Sequence, residues 1–336
     1  MSGPHRWRRR LVLAARIAVA VALFAWLGTQ IDWAALGTTF AHARLWLAAL
    51  GLAVLWLALA IAVLRWRRIL RALGSPLGLA EITRVFASGL FLSLFLPTTI
   101  GGDVYRLARI GQGGFGPARG AVSLLAERGI GLLALLLLVA PVIAVHPLTR
   151  DLVALAVVLG MGGLGVIVAV VFWGGPVAHW LARRMPVLEP ALGPVSWSAL
   201  LRQAPAVFGL SLLIHLATVG SNVLFAHALR VPLAPWDALA LIPLIVLAGQ
   251  IPISPGGLGV REAGFVYFLG RAGIAKEPAL AVGLAWLAAL YLTGAVGALL
   301  FLVDRRSAPK AQPGAALDNS STGPGPVGLD TTGGAS

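Results

Sequence analysis

The stretch FLPTTIGGDVYRLARIG, Phe95 to Gly111, lies in the middle of an apolar chain, yet it carries a proline, paired glycines, two threonines, an aspartate and two arginines. A lipid-facing helix tolerates none of that mixture, because hydrocarbon satisfies neither broken backbone nor charge. The surroundings are those of a polytopic membrane protein. Of 336 residues 59% are hydrophobic and 11% charged, with a mean hydropathy of +0.90, more apolar surface than one soluble core buries. The net charge of +14 comes from arginines in short clusters between apolar runs. That pattern reads as membrane topology and not as a nucleic-acid surface. The absence of cysteine excludes disulfides, thiolate metal sites and a cysteine nucleophile.

Apolar runs extend over Ile17 to Leu36, Leu45 to Leu64, Ile82 to Leu96, Ala121 to Val145, Leu152 to Trp173, Val207 to Leu229, Leu239 to Ile251 and Ala279 to Val303. Crossing the hydrocarbon takes ~20 helical residues, so the third and seventh runs are short. Both lead into Pro-Gly motifs. The basic segment 1–16 precedes a run with no convincing cleavage site and reads as the foot of a retained first helix. From residue 304 to 336 the chain turns to Gly, Pro, Ser, Thr and Asp, the composition of a disordered tail.

The motif occurs twice. QIPISPGGLGVREAG, Gln250 to Gly264, aligns with the opening stretch in a single register. It pairs Pro97 with Pro252, Thr99 with Ser254, Gly101 with Gly256, Gly102 with Gly257, Arg106 with Arg261 and Ala108 with Ala263. The same register carries flanking apolar runs onto one another, giving repeat 1 over about 17–145 and repeat 2 over about 152–303.

Arginine counting gives the topology. Arg6, Arg8, Arg9 and Arg10 place the N-terminus inside, and Arg65, Arg67, Arg68 and Arg71 do the same for the loop after the second helix. A full crossing by the Ile82 run would put Arg106, Arg109, Arg119, Arg183, Arg184 and Arg202 outside. If the segment dips in and returns, all six become cytoplasmic, and the second motif then dips from the outer side. The expected architecture is all-α, with six spanning helices plus two re-entrant Pro-Gly-Gly hairpins in an inverted repeat, or eight segments if each hairpin is counted as one. Both termini are cytoplasmic in this scheme.

Such breaks persist only around a polar cavity or within protein, and two of them, one from each face, imply one shared cavity to which Arg106 and Arg261 both contribute. Pro97 and Pro252 are expected to end the descending half-helices, and Gly101, Gly102, Gly256 and Gly257 to turn the chain through φ values closed to other residues. The N-H groups at each returning helix form an anion-friendly spot. Arg106 and Arg261, about one turn further on, offer a donor fork suited to phosphate, with Asp103 and Glu262 holding them when the site is empty. Arg106 and Arg109 also fit a plain interfacial role. Glu127 and Arg128 read equally as a structural ion pair or as cavity lining. His215 and Asn222 read as glue between helices or as substrate contacts. No catalytic triad, metal cluster or phosphate-binding loop with its lysine is present, so neither an enzyme nor a bound cofactor is expected.

LPTTIGGDVYR, the AERG element and IPISPGGLGVREA together resemble the lysylphosphatidylglycerol synthase transmembrane domain family, also described as flippase-like membrane proteins, over roughly Arg10 to Val303. The resemblance implies a bacterial or archaeal plasma membrane and the handling of polar lipids. It adds Pro255 and Gly259 to the motif positions already named. Members often carry an asparagine where this chain has Ser93. The tail after Val303 is too short and polar for the soluble aminoacyl-transferase domain of two-part synthases. The leading functional expectation is translocation of a lipid with an anionic headgroup. The alternatives are a lipid-binding partner of a separately encoded lipid-modifying enzyme and, third, an integral-membrane transferase with Asp103 or Glu262 as base.

Overall fold

The computed structural model describes residues 28–95, 101–111, 115–184, 197–250 and 254–307, together with scattered positions from 15 to 26. The described residues form helices and their connections, with no strand among them. We number the helices α1 (Trp33–Ala41), α2 (Leu45–Ala72), α3 (Leu79–Phe95), α4 (Gly101–Ile110), α5 (Pro117–Val145), α6 (Val153–Arg184), α7 (Trp197–Ala228), α8 (Pro235–Gly249), α9 (Val260–Arg271) and α10 (Lys276–Ser307). Five described helices are long and apolar enough to cross a membrane, at Leu45–Ala72, Ala118–Val145, Pro147–Val170, Trp197–Ala228 and Lys276–Leu302. Positions 17, 20, 23, 24 and 27 of the expected first crossing lie outside the described residues, as do Pro97, Pro252 and the chain from residue 308.

Two expected boundaries change. The run Ile17 to Leu36 is not one helix: Asp32 interrupts it and accepts hydrogen bonds from the N-H groups of Ala34 (2.8 Å) and Ala35 (3.2 Å), which starts α1 afresh. At the other end α10 runs to Ser307, past the expected limit at Val303, since no glycine or proline interrupts the sequence between Val303 and Ser307. Proline alone does not set the breaks. Pro141, Pro176, Pro205 and Pro243 all lie inside helices that continue through them.

Helix α2 packs antiparallel on α7. Arg68 Nη1 donates to Gln203 Oε1 at 3.4 Å near one end, while a Cβ on Gly51 would meet the Phe225 ring at 2.9 Å near the other. Helices α3 and α4 form a hairpin that leaves one end of the molecule and returns to it, with Gly102 pressed on Gly89. Helices α8 and α9 form the second hairpin, from the opposite end. There the Asp237 carboxylate in the first turn of α8 lies 3.2 Å from His146 Nε2. Arg271 in the last turn of α9 donates to Leu148 O at 2.9 Å and pairs with Asp151.

Helix α10 runs past both hairpins and places them in depth. Phe265 and Trp286 stack edge to face at 5.8 Å, Phe95 meets Tyr291 at 5.2 Å, and Ala87 lies against Gly297. The two hairpins therefore approach end to end along one helix. Each is backed by its own core, Trp66, Ile69, Ile82, Ile110 and Phe115 behind the first and Leu241, Ile245, Phe265, Leu269 and Trp286 behind the second.

Candidate functional site: two buried ionic clusters on opposed hairpins

The returning helix of each hairpin carries its arginine inward. Arg106 is 8% exposed and Arg261 8%, and both stack on tryptophan. The Arg106 guanidinium lies 3.9 Å from the Trp66 ring centre and 4.9 Å from that of Phe86, and Arg261 lies 4.8 Å from that of Trp286. An aromatic face attracts a guanidinium and remains apolar toward the core, which is how the charge is accommodated there.

Around Arg106 the charges link four helices. Arg106 pairs with Glu127 of α5, and Glu127 is also held by Arg65 of α2 at 3.0 Å. Arg65 reaches on to Ser211 Oγ of α7 at 3.1 Å. Asp103 lies 3.7 Å from Arg106 and accepts from Arg128 Nε at 3.1 Å. Trp66 Nε1 donates to Ser123 Oγ at 3.3 Å, which fixes the platform on which Arg106 stacks. Three guanidiniums thus face two carboxylates, a surplus of one positive charge. Three polar atoms here, Arg65 Nε, Arg106 Nε and Ser88 Oγ, are buried with no hydrogen-bond partner among the described residues. Ser88 adjoins Gly89, on which the Arg106 stem packs.

The second cluster is smaller and neutral. Arg261 pairs with Glu262 at 3.3 Å, and Glu262 Oε2 accepts the N-H of Gly259 at 2.6 Å. The backbone donor expected to receive an external anion at the start of α9 is occupied by the protein's own carboxylate. Ser254 Oγ, 1% exposed, and Asn222 Oδ1, 0% exposed, are left without partners nearer this half.

The paired glycines correct the expected turn chemistry. Gly256 (φ +61), Gly257 (φ +73) and Gly259 (φ +81) do turn the chain through the left-handed region. Gly101 and Gly102 do not; they open α4 with ordinary helical backbone. Gly102 is needed for closeness instead, since a Cβ there would lie 2.1 Å from Gly89 O and 2.0 Å from Ser93 Oγ. Ser93 thus touches the motif directly. Pro255 lies in the short turn Pro255–Gly257.

Of the residues singled out in the sequence, Asp103, Arg106, Glu127 and Arg128 come together, and Arg261 with Glu262 forms a separate pair. Trp286 and Gly297 are eleven residues apart on α10, roughly 16 Å at the helical rise, so the two arginines stand at different depths. His215 Nε2 lies 2.9 Å from Gly131 O, a contact between α7 and α5. Asn222 Nδ2 donates only to Thr218 O of its own helix. Arg65, Trp66, Ser211 and Trp286 were missed as site residues. Arg65 reads as one more topology charge, and its only distinguishing signal is its position as the first arginine after the apolar run.

Spanning helices combined with two half-helix hairpins entering from opposite ends, each holding buried ionised residues, define an integral membrane protein of the broken-helix kind. More particularly, the chain belongs to the lysylphosphatidylglycerol synthase TM region family, whose model matches residues 13–297. It is a multi-pass membrane protein of a family linked to lipid modification. No curated protein matches the chain.

Proposed function

We propose that this protein binds a lipid with an anionic headgroup and moves it between the leaflets of the plasma membrane, catalysing no covalent step. The observation that carries the reading is the pair of opposed hairpins with buried arginines at two depths. Each cluster gives a phosphate one polar station, and a rocking motion about the hairpin tips would open the stations to opposite leaflets in turn. The two arginines stand at different depths and each is held by its own carboxylate, so Arg106 and Arg261 serve successive positions. The surplus positive charge and orphaned donors around Arg106 make that cluster the stronger one. The neutral Arg261 and Glu262 pair releases its arginine only against its own carboxylate. Orientation follows from charge: Arg67, Arg68, Arg71, Arg84, Arg119, Arg183, Arg184 and Arg202 gather at the end where the first hairpin begins, which we assign to the cytoplasm. The opposite end carries Asp32, Asp151, Asp237 and Glu277.

The test is translocation of a headgroup-labelled anionic phospholipid in liposomes containing only this protein, at matched reconstitution. Arg106→Gln and Arg261→Gln should each lower the rate about tenfold or more, since a charge-assisted contact is worth ~1.5–3 kcal/mol. Arg84→Gln should not, because Arg84 Nε bonds back to Ala80 O of its own helix. Lysine at 106 or 261 should rescue only in part. Equal rates in all variants would mean that the arginines serve topology alone. The family's association with a synthase favours a second reading, a non-catalytic lipid-binding partner of a separate lipid-modifying enzyme. No translocation by the wild-type protein in liposomes, with restored lipid modification on adding such an enzyme, would select it.

A further inference from the structure

A second basic feature stands apart from both hairpin clusters. Where the last turns of α2 meet the first turns of α7, a cleft of about 560 Å³ is lined by Arg67, Arg68, Arg71 and Arg202 with Gln203. Among the described residues no acidic residue lines it. Among the described residues none of these four arginines pairs with a carboxylate, Arg68 donates only to the neutral Gln203 amide, and Arg67 Nε is buried without a partner. Arg65, two residues before Arg67, is engaged elsewhere, by Glu127 and Ser211. Four positive charges sharing one concave site without a counter-charge repel one another, so an anion from outside stabilises the arrangement.

The floor identifies the anion. Leu64 and Leu210 line the same cleft, and away from it the apolar face continues through exposed Leu57 (57%), Leu64 (41%) and Leu213 (51%). Leu57, Leu64, Arg68 and Arg71 recur at heptad-like spacing, and Gln203, Leu210 and Leu213 do so on α7, so each set shares one helix face. The cleft is charged where the apolar helices end and greasy along their length, which is the profile of an amphiphile with a phosphate head. A soluble anion or an acidic protein segment would leave that apolar face unused.

We infer that this cleft holds the headgroup phosphate of an anionic phospholipid from the surrounding leaflet, with its acyl chains along Leu57, Leu64 and Leu213. The bound lipid ties α2 to α7, the two helices from different halves of the chain whose seam must stay closed while the hairpins work. The site is independent of Arg106 and Arg261 and holds whether or not the protein translocates lipid.

The experiment uses the purified full chain in neutral detergent, with native mass spectrometry for retained lipid and thermal unfolding for stabilisation. The probes are phosphatidylglycerol, phosphatidylcholine and sn-glycerol 3-phosphate. Phosphatidylglycerol should be retained and should raise the unfolding midpoint; phosphatidylcholine and glycerol phosphate at equal concentration should not. Arg67→Gln with Arg202→Gln should weaken phosphatidylglycerol binding roughly tenfold or more. Arg183→Gln with Arg184→Gln, exposed at the same end on α6, should leave it unchanged. The lysine pair at 67 and 202 keeps the charge, and hence the fold, and should bind more weakly than wild type but better than the glutamine pair. Arg106→Gln should leave retention intact, so a failed translocation assay does not touch this result. Equal retention of both lipids, full competition by glycerol phosphate, or equal loss in the two glutamine pairs would overturn the assignment.

Discussion

Glu127 is 6% exposed between Arg65 (9%) and Arg106 (8%), and Glu127→Gln removes its charge while keeping its shape. Arg106 then has only Asp103, 3.7 Å away and already engaged by Arg128, and Arg65 keeps Ser211 alone. Removing one partner of a buried pair costs about 3–5 kcal/mol, because the remaining charges are left in a medium that solvates them poorly. Arg65→Gln alone is milder, ~1–3 kcal/mol, since Glu127 retains Arg106. The double variant removes both an acid and a base, and the surplus charge of the cluster returns to one. Its destabilisation should therefore fall short of the sum of the single variants by about 1–3 kcal/mol. Equilibrium unfolding of the four proteins in mixed micelles measures that coupling. The control cycle pairs Glu127→Gln with Arg68→Gln, whose side chain reaches Gln203 and makes no contact with the cluster, and should be additive within ~0.5 kcal/mol. Coupling below ~0.5 kcal/mol between Arg65 and Glu127 would show that water, and not the arginine, solvates the carboxylate, and would remove the argument for a dry ionic cluster.

Gly102→Ala should destabilise the protein by ~1–3 kcal/mol, because the new methyl meets backbone at Gly89 that has no room to yield; Gly129→Ala, with nothing within 4 Å, should be neutral or gain ~0.5–1 kcal/mol in the same thermal assay. Since the chain has no cysteine, single cysteines at Ser75 and Arg119 should react with an impermeant maleimide only in inverted vesicles, and cysteines at Ala234 and Ala275 only in intact cells; labelling of Ser75 and Arg119 from opposite sides would show that the first hairpin crosses. His215→Leu removes one contact between α7 and α5 and should cost ~0.6 kcal/mol, at most ~1.7; a loss of 3 kcal/mol or more on unfolding in micelles would mean the histidine belongs to a larger polar network.

The sequence by itself determined the membrane class, the two short half-helix segments and their entry from opposite ends. Those features depend on run length and on the sign of charge in loops, both of which are read along the chain one segment at a time. It also singled out Arg106, Glu127 and Arg261, because an ionised residue inside an apolar run needs a reason wherever it lies. What only the tertiary structure decided is which charge meets which. Glu127 has no sequence neighbour that names Arg65, 62 positions away, as its partner, and Arg65 lies in a cluster whose other members face a separate cleft. The same limit explains the glycines. In the second motif Gly257 combines a positive φ with close approach to Gly249, whereas Gly102 serves the first through close contact with Gly89 alone, and a residue type records that a Cβ is unwelcome without recording whether the torsion or the neighbour excludes it. Long-range partner choice depends on how helices are rotated and offset when they pack, and a single chain's pattern leaves that rotation free until neighbouring surfaces fix it.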